Sequence, residues 1–275
     1  MPELPEVETV KNVLKKKIVG LTIKSVTIHH PKMIKGIDVE DFSTNLVGQT
    51  INNITRRGKY IIFQMSDWFM LSHLRMEGKF FHGKDVEFAR EKHIHARFDL
   101  SDGSVLVYED VRKFGTFHLY ALGIDLEKTA PFLVLGPEPW DTDFNIENFS
   151  KQIKGKKTPI KSLLLSQKLI TGLGNIYVDE VLFASNVHPS KASNTLTKAE
   201  ITAIIKHTRD ILKHAIKHKG TTIKTFTSAH GFEGMYQEFL KVHTKKDEPC
   251  PTCETTILKT KVGGRGTYYC PTCQK

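Results

Sequence analysis

The strongest constraint on folding lies near the end of the chain, which holds all four of its cysteines: Cys250, Cys253, Cys270 and Cys273. Their spacing is C-x2-C-x16-C-x2-C, which is typical of two hairpin knuckles closing one tetrahedral zinc site through four thiolates. Two disulfides are the alternative, which is disfavoured in a cytosolic chain because its thiols stay reduced. The spacing predicts one structural zinc ion, with no open coordination position for catalysis.

The charge of the chain is unevenly distributed. The 275 residues carry a net charge of +10 and are enough for two domains with hydrophobic cores, or for one large domain. Up to Leu135 there are 19 Lys and Arg against 17 Asp and Glu, and from Gly136 onward there are 21 against 13. A cationic half attracts polyanions, of which nucleic acid is the usual one. A merely soluble basic surface explains the charge alone equally well.

The sequence offers no sign of a membrane partner. No apolar run approaches the length of a membrane span, and three glutamates within the first ten residues are unlike a signal peptide. We therefore expect a cytoplasmic protein.

The first half of the chain combines one helix with many short strands. Residues 3–20 predict an amphipathic helix that Gly20 stops. Short β-prone runs follow at 22–28, 50–54, 60–65, 69–74, 96–100 and 105–108, and Ser101-Asp102-Gly103-Ser104 is a hairpin signal between the last two. This spacing predicts an antiparallel β-sandwich or barrel.

The pattern changes at Leu135-Gly136-Pro137-Glu138-Pro139, a stiff segment that is the best domain boundary. Thr158-Pro159 predicts a helix start with proline in the first position. Thr197-Lys198-Ala199-Glu200 is a capping box for a helix that Gly220 ends. The glycine-punctuated residues 221–236 predict a loop before the zinc ribbon. The fold class is therefore α+β.

The first residues carry a possible nucleophile. Removal of Met1 would expose the secondary amine of Pro2, and α-amino groups titrate near ~8, so that part of it is unprotonated at neutral pH. Such an amine can attack an electrophilic carbon and form an iminium, with Glu3 beside it as a proton donor. The plainer alternative is that Pro2 and Pro5 only precede a helix.

Six strings extend this interpretation across the chain. They are MPELPEVETV at the start, RRGKY at 56–60, SHLRMEGK at 72–79, DVRKFGT at 110–116, QKLITGLGNIYVDEVLF at 167–183 and GRGTYYCPTCQ at 264–274. Together they resemble the bacterial formamidopyrimidine-DNA glycosylases, which excise oxidised purines such as 8-oxoguanine and cut the resulting abasic site. The resemblance spans essentially the full length, with its motifs in order.

The resemblance implies an architecture. It places a catalytic β-sandwich domain flanked by helices at residues 1–134, a helix–two-turns–helix DNA-binding domain at 135–246 and a zinc ribbon at 247–275. A lesion-recognition loop is expected at about 221–236. The implied partner is double-stranded DNA containing oxidised purines, bound by a monomer without an obligate protein partner.

The resemblance also implies catalytic roles. Pro2 would attack the anomeric carbon of the sugar, and Glu3 would donate the proton that opens the sugar ring. The resulting Schiff base makes the neighbouring sugar protons acidic, and two eliminations then cut the strand on both sides of the site. Lys59 matches the proton donor of the first elimination and Arg265 that of the second. For Lys59, a simple phosphate contact is the alternative.

Further positions are implied to contact DNA. An enzyme that acts on a stacked base must extrude it and fill the gap, and the family's wedge side chains match Met76, Arg112 and Phe114. Met76 and Phe114 could instead be ordinary core residues. Arg112 is also expected to hydrogen-bond the orphaned cytosine. Phosphate contacts transfer to His93, Lys157, Lys161 and Asn175.

Some of these assignments have alternatives. His93 could be a structural histidine, and Asn175 could be an ordinary helix N-cap. Glu6 could lie near the site or cap the first helix, and His73 could touch the DNA backbone.

One stretch departs from the family. A Tyr-Gly pair that usually precedes the ribbon is His243-Thr244 here, so any backbone contact of that tyrosine is in doubt. Two other functions compete with the purine-specific one. One is that of the endonuclease VIII-like glycosylases for oxidised pyrimidines, which typically begin Pro-Glu-Gly-Pro. The other is a non-catalytic protein that binds lesions through its zinc ribbon.

Overall fold

The computed structural model describes residues 2–84, 89–221 and 234–275. The chain forms two compact units, one made of residues 1–125 with 219–235 and the other of residues 126–218 with 236–275. Within the described residues, no helix has both the length and the apolar character needed to cross a lipid bilayer. The expected boundaries after residues 134 and 246 stay predictions. The recognition loop expected at 221–236 lies largely outside the described residues.

The first unit consists of two sheets flanked by helices. Its elements are α1 (Leu4–Ile18), β1 (Ile23–Ile28), β2 (Ile34–Lys35), α2 (Val39–Leu46), β3 (Ile51–Arg57), β4 (Tyr60–Met65), β5 (Trp68–His73), β6 (Lys79–Gly83), β7 (Ile94–Leu100), β8 (Val105–Glu109) and β9 (Thr116–Ala121). One sheet has the order β1-β7-β8-β6 and is antiparallel, and the other has the order β2-β9-β5-β4-β3 with only β2–β9 parallel. Helix α1 packs against β3 and β4.

Aromatic side chains join the two sheets into one core. Phe80 of β6 makes edge contacts with Phe63 of β4 at 5.6 Å between ring centroids and with Phe117 of β9 at 6.1 Å. Tyr108 of β8 contacts Phe117 at 5.1 Å. Each pair takes one ring from each sheet, and all four rings are buried. This shared core confirms the predicted antiparallel sandwich.

Tyr108 also supports two loops at one end of the sandwich. A Cβ atom added to Gly78 would lie 2.0 Å from the Tyr108 hydroxyl oxygen, and one added to Gly115 would lie 1.7 Å from it. Gly78 belongs to the β5–β6 loop and Gly115 to the β8–β9 loop. Only glycine permits this approach, so both loops are anchored to the same ring.

The second unit is helical and ends in a hairpin. Its elements are α3 (Ile146–Ile153), α4 (Ile160–Leu165), α5 (Asn175–Ala184), α6 (Lys198–Lys217), β10 (Leu258–Val262) and β11 (Arg265–Tyr269). The predicted capping box is confirmed: Glu200 N donates to Thr197 Oγ1 at 3.2 Å, and Thr197 N donates to Glu200 Oε2 at 2.8 Å. Pro159 is the N-cap of α4 and not its first residue, which corrects the predicted start.

The contact between Gly115 and Tyr108 predicts the effect of Gly115→Ala. The new methyl group cannot be accommodated without moving the tyrosine ring or the loop, and overpacking of this kind costs roughly 1–3 kcal/mol. We expect a lower thermal unfolding midpoint than for the wild type, measured by circular dichroism. Tyr108→Phe is the control, because its hydroxyl is buried without a hydrogen-bond partner in the described part of the chain. It should unfold at or above the wild-type temperature. Equal midpoints for Gly115→Ala and the wild type would refute the contact.

Candidate active site and nucleic-acid interface

The start of the chain is buried and fixed by helix α1. Pro2 is buried and Glu3, the N-cap of α1, is 1% exposed. The backbone N–H of Glu3 donates to Glu6 Oε2 at 2.8 Å, and the two residues form a reciprocal capping box. Glu6 therefore caps the first helix, which is one of the two roles predicted for it. The backbone beside Pro2 is held in one geometry.

Glu6 also binds Thr221, which directly precedes residues 222–233. Its Oε1 accepts the backbone N–H of Thr221 at 2.8 Å and the Thr221 hydroxyl at 3.2 Å. A Cβ at Gly220 would lie 2.4 Å from the same oxygen, and Gly220 has a φ of +78°. One buried carboxylate thus ties the helix that begins beside Pro2 to the base of the expected recognition loop.

Lys59 lies in the tight turn between β3 and β4. Gly58, with a φ of +58°, and Lys59 form the turn between the paired residues Arg57 and Tyr60. Arg56 holds this turn to α1, because its guanidinium donates to the Gly58 carbonyl at 2.8 Å and to Glu8 Oε2 at 2.9 Å. Lys59 is 5% exposed. The position of the lysine is therefore coupled to that of α1.

His73, at the end of β5, is held in its neutral form. Burial, reinforced by the positive charges of Arg75 and Lys59, lowers the pKa of His73 to about 3. Its Nδ1 accepts the backbone N–H of Arg75 at 2.9 Å, which leaves the ring proton on Nε2. His73 is thus a neutral donor.

The three expected wedge residues lie on loops and not on strands. Met76 is half-buried between β5 and β6, whereas Arg112 and Phe114 are exposed between β8 and β9. Phe114 is 52% exposed, and the Arg112 guanidinium carbon lies 4.8 Å from the centroid of its ring. Such a cation–π contact holds the two exposed side chains against each other.

A buried aspartate organises the Arg112–Phe114 loop. The Asp110 carboxylate accepts backbone N–H groups from Arg112 at 3.0 Å, Phe114 at 2.9 Å and Gly115 at 2.8 Å. Its own N–H donates to the His93 carbonyl at 3.0 Å. His93, which is half-buried, is thereby tied to the same loop. Sequence reasoning missed Asp110, although an Asp opening a glycine-containing loop is a usable signal.

The phosphate contacts expected in the second unit fall into two groups. Lys157 is exposed in the segment before α4, and Asn175 is the first residue of α5 after the N-cap Gly174. Lys161, by contrast, is completely buried, and its Nζ donates to Asp179 Oδ1 at 2.7 Å, Thr267 Oγ1 at 2.8 Å and the Gly266 carbonyl at 3.0 Å. An ammonium enclosed in this way cannot reach a phosphate. The expected role of Lys161 is therefore corrected to an internal one.

Arg265 lies beside the tip of the ribbon hairpin. Val262 pairs with Arg265, and Gly263 and Gly264 between them have φ values of +56° and +76°. Positive φ at both central residues gives the twist that a two-residue hairpin needs. A Cβ at Gly263 would lie 2.4 Å from Ser162 Oγ of α4. The turn thus packs closely on α4, and Arg265 itself is exposed.

The four cysteines form the zinc site. Their sulfur atoms all lie within 4.8 Å of one another, and the closest pairs are 3.4 Å (Cys253–Cys270 and Cys253–Cys273) and 3.9 Å (Cys250–Cys273) apart. Zn–S bonds of about 2.3 Å in a tetrahedron imply sulfur separations of roughly 3.8 Å. The cysteines are free of disulfides. They therefore bind one structural zinc ion, as predicted.

These features define a class. A β-sandwich whose first helix begins beside a buried Pro2, a helical unit and a tetracysteine ribbon together have the architecture expected of the DNA glycosylases that the sequence resembles. Sequence models of the formamidopyrimidine-DNA glycosylase N-terminal domain, its H2TH domain and the zinc finger found in FPG and IleRS match residues 1–117, 135–227 and 247–275.

The relatives agree with this class. The chain is 48% identical over 275 residues to the formamidopyrimidine-DNA glycosylase of Streptococcus pneumoniae, covering 100% of this chain and 99% of that protein. It superposes with a TM-score of 0.91 on Lactococcus lactis Fpg in complex with DNA containing an abasic site, and likewise on the wild-type enzyme with DNA containing N7-benzyl-Fapy-dG. Both matches have 42% identity and cover 100% of both chains. The chain belongs to the formamidopyrimidine-DNA glycosylase family.

The enclosure of Lys161 predicts a large loss of stability in Lys161→Met. Removing one partner leaves Asp179 buried and without its ammonium partner, which costs roughly 3–5 kcal/mol. Urea denaturation should show a lower midpoint. Lys156→Met is the matched control, because Lys156 is exposed, and it should unfold like the wild type. If Lys161→Met unfolded at the wild-type urea midpoint, the Lys161 ammonium would not be buried against Asp179.

The zinc site predicts that Cys270→Ser loses the metal. Three thiolates and a hydroxyl bind zinc more weakly, and the ribbon depends on the ion for its fold. We expect substoichiometric zinc by atomic absorption and weaker binding to duplex DNA. Thr272→Ser, between two of the cysteines, should retain one zinc ion per chain. DNA affinity equal to wild type in zinc-free Cys270→Ser would contradict a structural role for the metal.

Proposed function

We propose that this chain is a bifunctional DNA glycosylase and abasic-site lyase that removes oxidised purines, including 8-oxoguanine and formamidopyrimidines, from duplex DNA. The observation that carries the proposal is the buried Pro2, held beside Glu3 by the capping box of α1, in a chain of this family. A terminal amine fixed in this way is already oriented for attack once Met1 is removed. The Fapy-dG complexes of the Lactococcus lactis relative favour purine lesions over oxidised pyrimidines.

Base extrusion is the first proposed step. Phe114 and Met76 would fill the space of the extruded base, and Arg112 would hydrogen-bond the unpaired cytosine. These roles are supported by the position of the three residues on loops and by the contact of both loops with Tyr108. Because Asp110 holds the second loop before DNA arrives, little ordering is left for binding to accomplish.

The Pro2 nitrogen would then form a covalent intermediate. Its lone pair bonds to C1′ of the sugar, the glycosidic bond breaks, and the departing base takes up a proton. Glu3 gives a proton to the ring oxygen, the sugar ring opens, and the nitrogen becomes a positively charged Schiff base. This charge acidifies the neighbouring sugar protons.

Two eliminations would cut the strand on both sides of the sugar, and water would then hydrolyse the Schiff base, which releases the sugar fragment as an aldehyde and regenerates the Pro2 amine. In each elimination, a proton leaves a sugar carbon and the electron pair of a carbon–oxygen bond departs with a phosphate. We assign Lys59 to the first elimination, because it is buried in a turn that Arg56 couples to α1. We assign Arg265 to the second, with support from its exposure beside a rigid glycine turn.

We propose phosphate contacts for His93, Lys157 and Asn175. The first is tied to the Asp110 loop, the second is exposed, and the third begins a helix, whose N-terminal end is the positive end of its dipole and favours an anion. We retain the domain division at residues 134 and 246, and place the enzyme on chromosomal DNA in the cytoplasm as a monomer.

Borohydride trapping tests the covalent step. Incubation with duplex containing 8-oxoguanine opposite cytosine, followed by borohydride, should give a protein–DNA adduct of the expected mass. Pro2→Gly should lose most base excision while binding the same duplex, because a primary glycine amine is less well positioned. Excision at the wild-type rate by protein that retains Met1 would refute the amine mechanism.

A further inference from the structure

The hairpin that carries Arg265 is anchored on one aspartate. Asp179, on α5, is 1% exposed. Its Oδ1 accepts from Lys161 Nζ at 2.7 Å, and its Oδ2 accepts from His243 Nδ1 at 2.8 Å and from the backbone N–H of Tyr268 at 3.3 Å. Two side chains and a strand backbone therefore converge on one carboxylate.

The same network reaches the backbone of Arg265. Lys161 Nζ donates to Thr267 Oγ1, and that hydroxyl donates to the Arg265 carbonyl at 2.9 Å. The Gly266 carbonyl accepts both Lys161 Nζ at 3.0 Å and Asn175 Nδ2 at 2.9 Å. Arg265, Gly266 and Tyr268 thus each have a backbone group held by this network, and Thr267 takes part through its hydroxyl, while the Arg265 side chain is exposed.

His243 enters the network at the position where the sequence resemblance leads us to expect tyrosine. It is 7% exposed, and its ring meets the Tyr268 ring edge-on at 5.0 Å. Its backbone N–H donates to Glu180 Oε1 at 2.8 Å, and those of Lys241 and Val242 also donate to Glu180. Both backbone and ring of His243 are therefore fixed. Tyrosine has no polar atom where Nδ1 lies, so the bond to Asp179 is particular to the histidine.

We propose that Asp179 and His243 are positioning residues for Arg265, and that together they set how often the first elimination is followed by the second. The proposal rests on the proposed function, since that function gives Arg265 the second elimination. Arg265 reaches a sugar–phosphate through a long flexible side chain, so its effective position depends on the backbone that anchors it. A displacement of about 1 Å can cost on the order of a hundredfold in rate. The first elimination, assigned to Lys59, should be unaffected.

The test is the ratio of products from a preformed abasic site. His243→Phe keeps an aromatic ring against Tyr268 but cannot donate to Asp179, and it leaves the Lys161–Asp179 pair intact. We expect the ratio of doubly to singly eliminated ends to fall on the order of tenfold, with an unchanged rate of the first cut. His243→Asn should restore most of the ratio, because its amide nitrogen lies near the position of Nδ1. The ends are separated by denaturing electrophoresis.

A double-mutant cycle separates positioning from general damage. Arg265→Ala should itself accumulate singly eliminated ends, and adding His243→Phe to it should not change the ratio further if both act through one group. An unchanged ratio in His243→Phe overturns the proposal. So does an equal loss of both eliminations with reduced zinc content, since that would mean a structural role only. Failure of the proposed function would appear separately, as absence of the borohydride adduct in the wild type.

Discussion

The bond from the Glu3 backbone N–H to the Glu6 carboxylate is the contact on which the proposed chemistry depends. Chain termini are ordinarily the most mobile part of a domain, and a mobile amine would lose most of the advantage of proximity. Here the first helical turn is buried and capped by its own side chain. The other oxygen of Glu6 binds Thr221, which comes from a point 215 residues further along the chain. The backbone next to Pro2 is therefore fixed by Glu6 both within α1 and to Thr221.

Buried carboxylates play a similar part at other functional loops. The Asp110 carboxylate accepts three N–H groups of the Arg112–Phe114 loop, and the Glu180 carboxylate accepts those of residues 241–243. Irregular segments have no strand or helix partners for their N–H groups, which must nevertheless be satisfied when buried. Burial raises the pKa of Glu180, and the N–H groups oppose that rise. Each loop thereby becomes rigid without regular secondary structure.

Short-range patterns were predictable from the sequence, and long-range partners were not. The cysteine spacing and the capping box at Thr197 depend on residues close in the chain, and strand β4 was predicted at its observed bounds, Tyr60–Met65. Strand β9 was missed, because its buried and half-buried residues do not alternate regularly along Thr116–Ala121. Lys161 was assigned to phosphate because it matches a DNA-contacting position of the family that the sequence resembles. Its burial depends on Asp179 and on Thr267, 106 residues away, which no local pattern reveals.

The His243-Thr244 pair has a structural cost and a structural compensation. Thr244 has a φ of +71°, a left-handed conformation that a glycine adopts freely but a β-branched residue adopts at roughly 1–2 kcal/mol. Such a conformation persists only where its surroundings fix it. Glu180 fixes the three preceding N–H groups, and Asp179 fixes the ring of His243. The segment therefore holds a left-handed backbone at Thr244, while the imidazole of His243 donates inward to Asp179.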